Sequence, residues 1–154
     1  MHQPVTVLAP LGGLVRPMAD VPDPVFSAEL VGPGLAIDPT RDGMVDVIAP
    51  IDGKILKLHA HAFIVMADPK HAVLVHLGLD TVQLGGVGFT LHVKEGDTVA
   101  AGDRVVSWDP AAIDEGGRSP VCPVVALEAS ATSLTPVATV GTEIRTGEPL
   151  FEWS

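Results

Sequence analysis

Apolar residues recur along this chain in short runs, and almost every run is closed by proline, glycine or aspartate. VTVLAP (5–10), DVIAPI (46–51), KILKL (54–58), AFIVM (62–66), AVLVHL (72–77), RVVSW (104–108) and PLFEW (149–153) are rich in β-branched residues. None continues long enough to show a helical period. Short, regularly punctuated strands of this kind predict an all-β sandwich or barrel. Two segments read as short helices, 22–27 (PDPVFS) and 109–115 (DPAAIDE), each with proline where a first helical turn tolerates it.

The pattern also repeats. Gly96-Asp-Thr-Val99-Ala-Ala-Gly102-Asp-Arg-Val105-Val106-Ser-Trp108 aligns without gaps on Gly141-Thr-Glu-Ile144-Arg-Thr-Gly147-Glu-Pro-Leu150-Phe151-Glu-Trp153. Ala9-Pro10-Leu11-Gly12-Gly13 likewise matches Ala49-Pro50-Ile51-Asp52-Gly53. Each half therefore holds an AP-x-x-G strand and a later G-x-x-Φ-x-x-G hairpin, where Φ is apolar. The expected fold is an antiparallel β-sandwich or barrel-sandwich hybrid, with a duplicated motif and one or two short helices. Residues 1–154 are expected to form a single domain. The glycine pattern also resembles that of lipoyl and biotinyl carrier domains. Lys54, Lys57, Lys70 and Lys94 all lack the setting of their cofactor lysine, so the likeness extends to the fold alone.

Composition narrows the function. The chain has 154 residues, 47% of them hydrophobic, with a net charge of −10. A strongly acidic chain is a poor ligand for nucleic acid, whose affinity comes from basic contacts to phosphate. It suits a partner with a basic docking face. No apolar run reaches the roughly 18 residues of a membrane helix, so membrane insertion is not expected. The N-terminus does not read as a secretory signal. Cys122 is the single cysteine, which excludes an internal disulfide, so a reducing cytoplasm is the expected setting. Between prolines 120 and 123, Cys122 reads as a small buried hydrophobe.

The candidate chemistry lies in the histidines. His61 and His76 flank a hairpin whose turn holds Ala67-Asp68-Pro69-Lys70. With the turn centred between Asp68 and Pro69, His61 falls directly across from His76, with Cβ atoms roughly 4.5–5.5 Å apart. Two imidazoles so placed can share a proton, a metal or a phosphoryl group. As a phosphoryl acceptor, His76 would need one ring nitrogen free and the other held by a hydrogen bond, with donors nearby for the phosphoryl oxygens. Gly78 is expected to supply a backbone N–H donor, His61 a second donor, and Asp80 an attraction for a partner's arginine. His59, two residues before His61, is read as sharing its face and supporting the site. As a zinc site with an open position, His59, His61 and His76 would instead make a hydrolase. A related H-x-H motif occurs in zinc peptidases of similar duplicated fold, but their upstream H-x-x-x-D pair has no counterpart here. A regulatory module without phosphotransfer would have lost one of the histidines, and both are present. Of the others, His71 is expected to be solvated in the turn, His92 to be structural, and His2 is uninformative.

Gly34-Leu35-Ala36-Ile37-Asp38-Pro39, Ala49-Pro50-Ile51-Asp52-Gly53, His61-Ala62-Phe63 and Val75-His76-Leu77-Gly78-Leu79-Asp80-Thr81-Val82 resemble the glucose-type enzyme IIA proteins of the bacterial sugar phosphotransferase system, most of all their short actinobacterial members. The likeness also covers Val21-Pro22-Asp23-Pro24-Val25-Phe26 and Gly86-Val87-Gly88-Phe89. It implies a cytoplasmic phosphocarrier that requires no cofactor, in which His76 takes a phosphoryl group from the carrier HPr as a transient phosphohistidine. The group would then pass to a cysteine of an enzyme IIB domain of a sugar permease of the glucose or N-acetylglucosamine class. His61 would support that transfer, and Phe63, Leu74 and Val82 would form an apolar docking rim. The family's small size implies a monomer, and zinc could bridge His61 and His76 without being required. Two departures stand out. His59 takes the place of a threonine that orients the active histidine in many members, and Pro33 that of an acidic residue at the docking rim.

Overall fold

The structure, a computed structural model, describes residues 4–154, so His2 lies outside the described residues. The strands pair antiparallel throughout, in three sheets. The largest places β13 (Glu143–Ile144), β2 (Gly13–Pro17), β3 (Gly34–Pro39), β11 (Cys122–Ala126), β7 (His71–His76), β6 (Ala62–Asp68), β5 (Gly53–His59) and β9 (Thr98–Val99) side by side in that order. A second sheet sets β14 (Pro149–Trp153) between β1 (Val5–Leu8) and β12 (Leu134–Pro136), and a third sets β10 (Arg104–Trp108) between β4 (Val45–Ile48) and β8 (Thr90–Leu91). The all-β expectation holds, with short helices α1 (Pro24–Ser27) and α2 (Pro110–Glu115). Each begins with proline after a capping aspartate: Asp23 accepts from the Val25 N–H at 2.9 Å and Asp109 from the Ala112 N–H at 3.3 Å.

The sequence repeat is a structural repeat. The Gly102 N–H donates to the Ala49 carbonyl and the Gly147 N–H to the Ala9 carbonyl. The Gly96 N–H meets the Ile55 carbonyl as the Gly141 N–H meets that of Val15. Trp108 and Trp153, the last residues of the two aligned motifs, are both buried. Between the sheets lies a core holding Val7, Ile37, Ile55, Phe63, Val75, Trp108 and Phe151. A smaller cluster, with Met18, Val21, Phe26, Ala36, Leu79 and Val125, packs beneath α1.

Strand β11 is hidden in the sequence by its own composition. All five of its residues are buried, so it has no polar–apolar alternation, and Pro123 reads as a breaker. Its pairing with β7 runs from Val124 against Val75 to Ala126 against Val73, so Pro123 lies just past that ladder and forfeits no bond to it. Pro33, expected at the docking rim, is buried instead at the opposite end of the sheet from His76. Its carbonyl accepts from Ala126, the residue that pairs with Val73.

Candidate functional site

The β6–β7 hairpin sets the site, in a register one residue away from the expected one. Asp68 pairs with His71, so the turn centres between Pro69 and Lys70, and a bulge then falls between Met66 and Asp68. His76 consequently lies across from Ala62, not His61. Asp68 fixes the turn chemically. Its carboxylate accepts from the Lys70 N–H at 2.8 Å and meets His71 Nδ1 at 2.9 Å. The His71 contact, foremost, holds the Asp68 carboxyl below its usual range. His71 is not solvated as expected, because its ring also packs edge-on against Trp153, centroids 4.6 Å apart.

His61 still reaches His76, by a different route. It sits in the two-residue turn between β5 and β6, where His59 pairs with Ala62. The Leu77 N–H donates to its carbonyl at 2.7 Å, tying the turn to the end of β7. A turn residue is freed from the two-face alternation of a strand. The two rings stand edge to face, centroids 5.2 Å apart and planes at 72°. His59 stacks on His61 at 5.7 Å and 24°. Thus His59 and His61 are neighbours through a turn rather than by sharing a strand face.

The chain after β7 orients His76. His76 Nδ1 donates to the Gly78 carbonyl at 2.6 Å. A carbonyl can only accept, so this bond places the proton on Nδ1 and leaves Nε2 with its lone pair. Gly78 thus meets His76 through its carbonyl, as an acceptor. Its amide lies toward the Cys122 sulfur, where it opposes the burial that pushes that thiol up to about 12. Cys122 is fully buried and, as expected, an inert hydrophobe. Gly78 holds φ +77, and a Cβ there would stand 2.8 Å from Thr81 Cγ2 and 2.9 Å from the Ser119 carbonyl. Thr81 in turn donates through its hydroxyl to the Leu77 carbonyl at 2.7 Å.

Burial lowers the His76 pKa below that of a free imidazole, outweighing the Gly78 hydrogen bond and the charges of Asp23 and Asp80, which raise it. His61 is lowered by burial first, then by His76 and His59. Both rings are therefore predominantly neutral at pH 7. Below pH about 6.5 the unfolded chain binds these protons more readily than the folded one, so folding stability falls as pH drops through that range. If neutral His76 is the reactive form, the acid limb of any transfer reaction through it has its midpoint below pH 6.5. Rapid-quench rates across pH 5–8 check this, and a midpoint at or above 6.5 would contradict it.

Phe26, in α1, completes the setting. Its ring lies 5.2 Å from that of His76, planes at 58°, and is itself buried. Sequence reasoning missed it as a site residue. The signal was a capped proline turn that places Phe26 in a short helix, and only the tertiary fold lays that helix over β7. Around the histidines, Val82 and Val25 are 61% and 42% exposed and Leu74 is half-buried. Asp80 is exposed at the head of the following turn, in a left-handed conformation (φ 59°). Phe63, expected in the same rim, is 1% exposed because its β6 position alternates inward to the core. The exposed or half-buried apolar residues there are Leu74, Val82 and Val25.

The site is open. His59, Leu74, Lys57 and Ile64 border a shallow groove of about 290 Å³. Two roomier clefts lie elsewhere. One, of about 380 Å³, brings Arg16, Arg41 and Arg118 together, but Asp20 pairs with Arg16, Asp38 and Asp114 pair with Arg41, and Gln83 accepts from Arg118. The other, of about 600 Å³, is lined by Leu30, Leu56, Met66 and Leu127. A site built for a free metabolite usually encloses it. A half-buried imidazole on an apolar rim suits a group delivered by another protein. Among the described residues, no group of three or more His, Cys, Asp or Glu converges to hold a metal. His59, His61 and His76 are among the residues that form no such group. No helix among the described residues is long and apolar enough to cross a membrane.

Residues 5–132 match the family model for the phosphoenolpyruvate-dependent sugar phosphotransferase system, EIIA 1. The chain is 44% identical over 123 residues to the PTS system glucose-specific EIIA component of Oceanobacillus iheyensis, covering 79% of this chain and 73% of that one. It is 41% identical over 143 residues to the component of the same name from Bacillus cereus, covering 88% and 85%. Among solved structures it superimposes on the glucose permease IIA from Mycoplasma capricolum with a TM-score of 0.85 at 29% identity, over 98% of this chain and 96% of the other.

Proposed function

The chain belongs to the EIIA 1 family of the phosphoenolpyruvate-dependent sugar phosphotransferase system, and on that footing we propose that it is a cytoplasmic phosphocarrier for sugars of the glucose class, with residues 1–154 forming one such domain. His76 Nε2 attacks the phosphoryl group of phospho-HPr. The N–P bond of the donor breaks as the new one forms, and the donor imidazole leaves with the electron pair. A cysteine thiolate of an enzyme IIB domain later attacks the same phosphorus and His76 is the leaving group. The observation that carries this reading is the Nδ1 hydrogen bond to the Gly78 carbonyl, which leaves Nε2 as the nucleophile. Burial supports it by keeping that nitrogen unprotonated. Leu74, Val82 and Val25 supply an apolar rim for both partners, and Asp80 with the net charge of −10 favours basic docking faces.

Incubation with enzyme I, HPr and phosphoenolpyruvate, followed by mapping of acid-labile phosphate, tests the assignment. Label on His76 is expected, and label elsewhere, or none, overturns it. His61 is assigned to the onward step, because its ring is 5.2 Å from the acceptor and is not needed to fix the acceptor's tautomer. His61→Gln is expected to accept phosphate within about threefold of the normal rate and to deliver it to enzyme IIB at least about a hundredfold more slowly, the scale of a lost transition-state donor. Single-turnover assays of the two half-reactions separate these effects, and equal losses in both would remove the distinction.

A further inference from the structure

We propose that His59 is a positioning residue for His61, acting through the flat face of its ring; the functional consequence rests on the phosphocarrier reading above. Among the described residues no hydrogen bond reaches either ring nitrogen of His61, so packing alone sets the plane of that ring. Two contacts do so. His76 meets it edge to face at 5.2 Å, and His59 stacks on it at 5.7 Å with planes only 24° apart. Offset stacking at such a distance is a favourable aromatic geometry. The backbone makes it available: His59 ends β5 opposite Ala62, and His61 occupies the turn between them. The Leu77 N–H fixes the His61 backbone through its carbonyl, but not its side-chain torsions. Without the His59 face, His61 is free to rotate away from His76 toward solvent.

His59 is itself exposed and borders the groove beside Leu74, so its removal opens no core cavity. Alanine or threonine there lacks a flat surface, whereas phenylalanine keeps one and cannot ionise or hydrogen-bond. This separates stacking from every polar role of His59.

Two measurements test the inference. The first is NMR of the isolated chain and needs no partner. The His61 ring protons are expected to lose their ring-current shift and to show rotamer averaging in His59→Ala, and to regain a fixed orientation in His59→Phe. The second is single-turnover transfer. His59→Ala is expected to accept phosphate at the normal rate and to deliver it to enzyme IIB about three- to tenfold more slowly, the size of one aromatic pair. His59→Phe is expected to restore delivery. An unchanged His61 spectrum in His59→Ala, or normal delivery by that variant, overturns the proposal, as does failure of His59→Phe to restore either. A wild-type chain that takes no phosphate on His76 would instead overturn the phosphocarrier reading, leaving the NMR arm to judge the stacking by itself.

Discussion

Replacement of His76 by glutamine is expected to abolish phosphate acceptance from phospho-HPr while leaving the protein folded. Nε2 of His76 is the one site nitrogen whose tautomer is fixed as a nucleophile, through Nδ1–H donation to the Gly78 carbonyl at 2.6 Å. Glutamine fills a similar volume and its amide N–H can take over that donation. Its nitrogen, however, has no available lone pair, and its oxygen is a very weak nucleophile. Rate is therefore lost through chemistry rather than through packing. Stability is expected to stay within about 1 kcal/mol of the parent, since no large cavity or unpaired donor is created. Acid-labile labelling and a denaturant melt on the same preparation check both halves. Residual labelling above a few per cent would mean that another nucleophile carries the group. Loss of the folded transition would mean that the activity result is uninformative about chemistry, and His76→Asn would then have to reproduce it in a folded protein.

Gly78→Ala is expected to be the most damaging small substitution near the site. Two costs coincide there. The residue holds φ +77, a conformation that costs an L side chain roughly 1–2 kcal/mol. The added Cβ would also stand 2.8 Å from Thr81 Cγ2 and 2.9 Å from the Ser119 carbonyl. Ser119 cannot yield freely, because its carbonyl accepts from the Leu79 N–H at 2.8 Å. Moving it strains the segment that presents the Gly78 carbonyl to His76. The expected loss is about 2–4 kcal/mol of stability, with at least a tenfold loss in acceptance rate as the Nδ1–H partner is displaced. Gly85→Ala is the control. Gly85 has φ +60 but nothing within 4 Å of an added Cβ, so it isolates the conformational cost. Equal destabilisation by the two substitutions would show that the contacts around Gly78 do not matter.

The reading of the histidine pair was right in its outcome and wrong in its geometry. The turn, centred one residue later than Asp68-Pro69 and preceded by a bulge, places Ala62 across from His76. A bulge is invisible to a sequence pattern because it inserts one residue without changing residue type or polarity. His61 reaches its partner only because the β5–β6 turn also closes beside β7. The same strand arithmetic that misplaced His61 predicts the inward side of β6 correctly: Phe63 and Val65 alternate to the core while Ile64 and Met66 are only partly buried. Resemblance puts Phe63 at the docking rim, whereas its parity on β6 puts it in the core, where it lies.

Local signals determined a good deal by themselves. Periodicity and punctuation established an all-β chain, the gap-free repeat predicted two equivalent halves, and aspartate–proline pairs marked both helices. Each of these is encoded within a few residues, where backbone preference and side-chain alternation act. The proposal that His76 is the reactive histidine rests on motifs in order along the chain. The tertiary structure alone decided what surrounds it: the ring of Phe26, the ring of His61 with His59 stacked on it, and the carbonyl of Gly78 at Nδ1. Those contacts join α1, the β5–β6 turn and the end of β7, which are far apart in sequence. Their approach depends on how three sheets pack around one core, a sum of many small burial terms that no short stretch of sequence contains.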